Sequence, residues 1–297
     1  MSHFTVAVIT RGRPSEEDLE AILAPYDENR EVLHYITKEQ LIARVRENIA
    51  SYAATYYADY LMDKEKYVAE HKDNPNHIKY ITTTFPQKLK WTDEQCYTEA
   101  LSDYEAEDIM PDGSVKSTYN PNSKWDWWQV GGRWAGYLYV KEDSQGSFGE
   151  KSWTWGEESP YECDHKGLKK VDCARIKELV FPDTEKQAKD AARFWELYIE
   201  GAPALTDHDN ELIKFVWYKP EYYTEHYKTK ENYVRACSTF TTYAAVTKDG
   251  QWHEQGQMGW FGMSFDDDEV GWADSYYKLI FENADEDDYI TIVDCHI

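Results

Sequence analysis

Apolar residues run almost unbroken at both ends of the chain. Phe4-Thr5-Val6-Ala7-Val8-Ile9-Thr10 opens it with a β-rich stretch that predicts a central strand. Tyr289-Ile290-Thr291-Ile292-Val293-Asp294-Cys295-His296-Ile297 closes it with a second, apolar through Val293. Between them the period changes to that of a helix. Ser15 followed by Glu16-Glu17-Asp18 starts a short helix that ends near Pro25. Thr37-Lys38-Glu39-Gln40 reads as a capping box, and Leu41, Val45, Ile49, Tyr52, Tyr56/Tyr57 and Tyr60 then recur at three-to-four spacing. If helical to about His71, that segment is roughly 50 Å long. Its tyrosine stripe suits either a core face or an arm that contacts a partner. Trp91–Glu107 predicts a short acidic helix, and Thr184–Glu200 a helix with Gly201 as its C-cap.

The remaining segments read as strands and turns. Trp134–Val140 and Leu212–Tyr218 are strand candidates. Phe240–Val246, Lys248-Asp249-Gly250 and Gln251-Trp252-His253 predict a β-hairpin on its Asp-Gly turn. Gly256–Met263 is a Gly-aromatic stretch too irregular for a plain strand, and Asp266–Glu269 place acids at the start of a helix reaching about Asn283. No repeat or low-complexity linker divides the chain. The expected architecture is α+β: a single domain over 1–297, with one central mixed sheet using both termini. Helical insertions fall at about 37–110 and 170–235, and include one long helix.

The densest chemistry sits at Lys124-Trp125-Asp126-Trp127-Trp128-Gln129-Val130-Gly131-Gly132-Arg133-Trp134. Alternation puts Trp125, Trp127 and Gln129 on one side of an extended chain, with Asp126 and Trp128 on the other. The Gly-Gly step admits φ > 0 or a close backbone approach. Two readings are open. One is a ligand-binding wall of Trp125, Trp127, Trp128 and Trp134, joined by Trp260 and His296, with Asp126 and Arg133 as polar handles. The other is an aromatic corner locked by a buried Arg133–Asp126 pair. Cys295 and His296 are adjacent in a strand and so face opposite ways, which rules them out as a thiolate–imidazole couple. His296 has Asp126, Arg133, His253 and His3 as candidate partners.

Charge narrows the function classes. A formal net charge of −24 argues against direct nucleic-acid binding and against an anionic membrane surface. It suits solubility or a basic protein partner, including another protein's DNA-binding face. The five cysteines are scattered without a CxxC, which fits a reducing cytoplasm. No basic-then-apolar leader and no membrane-length apolar run is present. Cys163-Asp164-His165 with Cys173 has zinc-ligand residue types, but its spacing matches no closed site. No P-loop, dinucleotide fingerprint, nucleophile elbow or HExxH helix occurs. No metal or cofactor is expected, and no catalytic set is assigned.

Several motifs carry a resemblance: Ser2-His3-Phe4-Thr5-Val6, Tyr119-Asn120-Pro121-Asn122-Ser123-Lys124-Trp125-Asp126-Trp127-Trp128 with Gly131-Gly132-Arg133-Trp134, Gly259-Trp260-Phe261-Gly262, and Val293-Asp294-Cys295-His296-Ile297. Together they resemble a family common in bacteriophage and prophage genomes. Some of its members are labelled ferredoxin, which this chain contradicts because it lacks a cysteine cluster for an iron–sulfur centre. The resemblance covers the two ends and the middle, and brings no established catalytic residues. It implies a phage accessory protein in the host cytoplasm. The expectation is non-enzymatic: binding and inhibition of a bacterial antiviral defence component, a nuclease-type complex such as Gabija being one concrete version. Homo-oligomerisation through the long Tyr-rich helix would fit it. The alternative is a nucleotide-like small-molecule binding protein, or an enzyme, using the Trp/Arg-rich stretch.

Overall fold

The computed structural model describes residues 2–151, 159–258, 264–265 and 268–297. Contacts divide the chain into two compact units, Met1–Glu28 with Asn122–Ile297, and Asn29–Pro121. Of the two helical insertions expected from patterning, 37–110 falls inside the second unit and 170–235 inside the first.

The first unit is built on a mixed sheet of seven described strands: β1 (His3–Arg11), β2 (Trp127–Gly132), β3 (Glu150–Lys151), β4 (Cys173–Arg175), β5 (Ala244–Val246), β6 (Trp252–Glu254) and β7 (Asp288–His296). Their order is β6-β5-β1-β7-β2-β3, with β4 also on β7. The fold is α+β, and its two central strands are the first and last of the chain. They pair antiparallel along their whole length, from His3 opposite His296 to Arg11 opposite Asp288. β5 runs parallel to β1 and joins β6 through a turn in which Gly250 takes φ 80°. The Asp-Gly signal therefore marks a real hairpin, with a shorter first strand than the pattern suggests.

Both faces of the sheet are covered, which is why β1 and β7 read as continuous apolar runs. On one face Phe4, Val6, Val8, Val293 and Cys295 meet Leu19 and Leu23 of helix α1 (Glu16–Leu23). A capping box holds the start of α1: Ser15 Oγ accepts from the Asp18 N–H, and Asp18 accepts from the Ser15 N–H. On the other face Ala7, Ile9, Ile290 and Ile292 pack with Leu138, Val140 and Val171, and with Trp272, Tyr276 and Ile280. Leu138–Lys141 is the strand expected at 134–140, displaced because residues 133–136 form a turn in which Gly136 takes φ 74°.

Four more helices of this unit are α2 (Thr184–Tyr198), α3 (Asp207–Leu212), α4 (Pro220–Tyr227) and α5 (Lys230–Ser238). Ala191, Phe194, Trp195 and Leu197 bury the apolar face of α2, and Gly201 follows it at φ 73°. The strand expected at Leu212–Tyr218 does not form. Leu212 closes α3, and the following residues turn toward Pro220 with no partner among the described strands.

In the Asn29–Pro121 unit, Thr37 and Gln40 form the expected capping box. The helix runs from Lys38 to Met62 through a π-helical turn at Ala53–Tyr57. It ends short of His71 because Asp63 leaves the helical region (φ −153°, ψ 91°) and caps the next helix, Lys64–Glu70. Leu41 and Val45 pack on Cys96, Tyr97 and Ala100 of helix Asp93–Leu101, with Val115 beneath. The tyrosine stripe is half-buried: Tyr52 and Tyr57 lie 4.5 Å and 5.1 Å from the Phe85 ring, whereas Tyr56 is exposed. No described helix is long and apolar enough to cross a membrane.

Candidate functional site

The second edge of β7 is shared end to end by two strands. β2 pairs with Val293–His296 and β4 with Tyr289–Thr291, both antiparallel. Where they part, the Ile292 N–H donates to the Asp172 carbonyl at 2.8 Å. The Trp-rich stretch lies along this divided edge, so its side chains go to different places.

Trp125 precedes β2 and is buried with α1, its indole N–H donating to the Leu23 carbonyl at 3.2 Å. Trp128 and Val130 join the same apolar cluster. Trp127 and Gln129 take the opposite face, in register with His296 and Asp294. Plain alternation from Trp125 therefore fails at this point. The chain enters the sheet only at Trp127, so Trp125 shares its surroundings with Trp128 rather than with Trp127.

His3, His296 and Trp127 form one row across β1, β7 and β2. The two imidazoles meet edge to face at 4.9 Å, and His3 lies 6.2 Å from the Trp127 ring. Each imidazole has its Nδ1 on a carboxylate, His3 on Asp294 at 2.8 Å and His296 on Asp126 at 2.6 Å. Asp294 is buried, and its other oxygen accepts from the Arg133 backbone N–H at 2.9 Å. Of the partners open to His296, the fold brings Asp126 and His3. His253 stands on β6, beyond β1 and β5. Cys295 points the other way into the core, where burial holds its thiol well above the usual range.

The glycine step serves the same corner. Gly131 takes φ 77° and Gly132 φ 56°, and a Cβ on Gly131 would sit 2.8 Å from an Asp172 oxygen. Asp172 is buried and accepts from the N–H groups of Gly136 (2.5 Å) and Gly149 (2.6 Å) and from the Tyr161 hydroxyl (2.5 Å). Burial raises its carboxyl, and the three donated bonds oppose that rise. Asp172 thus ties three turns to the place where β2 and β4 diverge.

Arg133 and Asp126 do not form a buried pair. Asp126 is bound to His296, and the Arg133 side chain is exposed. Arg133 and Trp134 border a cavity of about 430 Å³ that also touches Lys170 and Phe240. Trp127 and Trp128 instead border a separate cleft of about 700 Å³. That cleft lies between α1 and the divided edge. Glu16, Leu19 and Glu20 line one side, Ser147-Phe148-Gly149 another, and Cys173 and Thr291 the floor. Trp260, with the rest of the second Gly-aromatic stretch over 259–263, lies outside the described residues.

The zinc-type residues near 163–173 are dispersed. His165 pairs with Asp183 at 3.3 Å, and the Thr291 hydroxyl contacts the buried Cys173 Sγ at 3.1 Å. Among the described residues no group of three or more His, Cys, Asp or Glu is placed to hold a metal ion.

The segment between α3 and α4, expected from its sequence to be a strand, is instead an exposed aromatic surface. Phe215 is 80% exposed, Trp217 91% and Tyr218 54%, and nearby Leu205 is 79% exposed. Phe215, Trp217 and Tyr218 border an aromatic groove of about 450 Å³ with Phe194, Tyr223 and Tyr233 behind them. The usable signal was present: an apolar run with no second run close by to pair with it.

No family model, no curated protein and no solved structure matches this chain.

Proposed function

We propose that this chain is a protein-binding inhibitor, encoded by a bacteriophage, that acts in the host cytoplasm on a bacterial antiviral defence complex. A nuclease-type complex such as Gabija is the concrete target, met at its basic DNA-binding surface. The observation that carries the reading is the aromatic ledge. Two of the largest apolar side chains, Phe215 and Trp217, stand at 80% and 91% exposure side by side with Tyr218. Exposed clusters of this kind mark interaction surfaces, and aromatic residues dominate binding energy at interfaces.

Charge supplies the second half of the argument. Asn29–Pro121 holds 11 basic and 16 acidic residues, so most of the −24 belongs to the sheet unit, which also bears the ledge. Residues 266–288 alone contain ten acids and one lysine. A field of that sign steers a basic surface toward the ledge and repels nucleic acid. The motif resemblance to phage proteins provides the setting.

The test is co-expression with the nuclease-type complex, affinity capture, and a DNA-cleavage assay. The reading expects a stoichiometric complex that raised salt weakens and that loses DNA cleavage. Capture should fail for the Phe215→Ala, Trp217→Ala double variant. Undiminished capture by that variant, or full cleavage in the presence of the captured chain, would overturn it.

A further inference from the structure

We propose that the aromatic ledge pairs with the ledge of a second copy of this chain, so that the free protein is a dimer with this surface covered. The inference rests on the ledge being an interaction surface, as the inhibitor reading has it. It adds a form of regulation, because self-pairing and capture of the host complex exclude each other.

The patch carries both halves of a self-complementary contact. The projecting half is Phe215 and Trp217, whose rings stand in solvent. The receiving half is the groove of about 450 Å³ that they border. Its aromatic backing is one packed cluster: Phe194 lies 5.3 Å from Tyr223 and 5.5 Å from Tyr233, and those two rings lie 5.8 Å apart. A projection and a recess on one patch suit a two-fold axis, because each copy then supplies and accepts the same contact. Trp217 of either copy enters the groove of the other.

The backbone that presents these rings is held at both ends, which lowers the ordering cost of association. Leu212 ends α3 on one side, and Pro220 begins α4 on the other. The Tyr218 carbonyl accepts from the Tyr198 hydroxyl of α2 at 2.9 Å, and the Tyr218 ring stacks on Tyr222 at 4.1 Å. Aromatic side chains bury about 150–250 Å² each. Phe215, Trp217 and Tyr218 of two copies therefore remove on the order of 1,000 Å² from water, the lower bound of a specific interface.

Charge favours this patch as the place where like copies meet. A net charge of −24 repels a second copy over most of the surface. Residues 205–238, which carry the ledge, hold six acids and five bases, a net of −1. Repulsion between the remaining surfaces means that added salt should tighten the dimer. Salt has the opposite effect on capture of a basic host surface, so the two associations differ in sign.

Sedimentation velocity on the full chain alone, over a dilution series at low and raised salt, is the test. The expected result is a monomer–dimer equilibrium that salt tightens. Trp217→Ala should raise the dissociation constant about tenfold or more while keeping a cooperative melt. In the unmodified chain, the Trp217 indole N–H signal in NMR should shift on dilution, a readout that does not depend on the variant folding. A monomer at every concentration, a dimer that Trp217→Ala leaves intact, or an equilibrium that salt weakens would overturn the inference. A monomeric chain that still captures the host complex through the ledge loses this inference and keeps the inhibitor reading. A ledge-paired dimer that captures nothing does the reverse.

Discussion

The strand β7 and the segment between α3 and α4 belong to the same unit and are both rich in large apolar side chains, yet they end in opposite surroundings. β7 is buried from Asp288 to Cys295, with β1 along one edge and β2 and β4 sharing the other. The segment around Phe215 and Trp217 pairs with no described strand and holds those rings in solvent. Backbone partners make the difference. An extended segment needs a neighbour for its N–H and C=O groups before its side chains can be sheltered on a sheet face. Burying a large apolar side chain yields about 1.5–3 kcal/mol, so leaving Trp217 out forgoes a sizeable stabilisation. A surface that forgoes it is available to a partner.

The largest expected effect lies on the β7 side. Truncation after Asn283 removes the whole strand, and with it the partner of β1, β2 and β4. The sheet unit should lose cooperative folding altogether, read by circular dichroism and a thermal melt. A cooperative, near-wild-type melt would show that β7 is dispensable and would erase the contrast. A gentler form is Ile292→Ala. Its side chain is fully buried between layers, and truncations of this kind cost about 2–5 kcal/mol. A denaturant titration that finds less than about 1 kcal/mol would mean that the site collapses without penalty.

A charged contact next to the exposed segment sharpens the comparison through pH. Asp209, on α3, takes Arg193 in a two-pronged pair at 2.9 Å and 2.8 Å and also accepts from the Leu205 N–H at 2.8 Å. These partners, Arg193 first, hold its carboxyl well below the usual range. A carboxylate whose folded pKa is depressed adds stability above its unfolded value, near pH 3.9, and loses it as pH falls through the folded one. Asp209→Asn should therefore lower the melting temperature at pH 7, with the gap to wild type narrowing below about pH 4. A gap that stays constant from pH 7 to pH 3 would remove the pair from the account.

The smallest stability effects belong to the exposed side. Phe215→Ala and Trp217→Ala should change stability by no more than about 0.5 kcal/mol while abolishing partner capture. A loss of several kcal/mol in a denaturant titration would place these rings in a core and undo the contrast. Arg133→Ala should be equally mild, and combining it with Asp126→Ala should show no coupling, since Asp126 is bound to His296 instead. Coupling of 1 kcal/mol or more in a double-mutant cycle would restore the Arg133–Asp126 lock.

Much of the fold was determined by the sequence alone, wherever the cause is local. The Thr37–Gln40 and Ser15–Asp18 caps, the helical face of Thr184–Tyr198 and the Asp249-Gly250 turn each depend on residues within a few positions. The two terminal strands declared themselves because burial on both faces leaves no polar alternation. Tertiary structure alone decided which residues meet. His3 and Asp294 are 291 positions apart, and only the full-length β1–β7 ladder brings them to 2.8 Å. Splitting the β7 edge between β2 and β4 sent Trp127 and Arg133 to different cavities. The segment after Leu212 stayed out of any sheet because strand propensity is a property of one segment, and strand formation requires two.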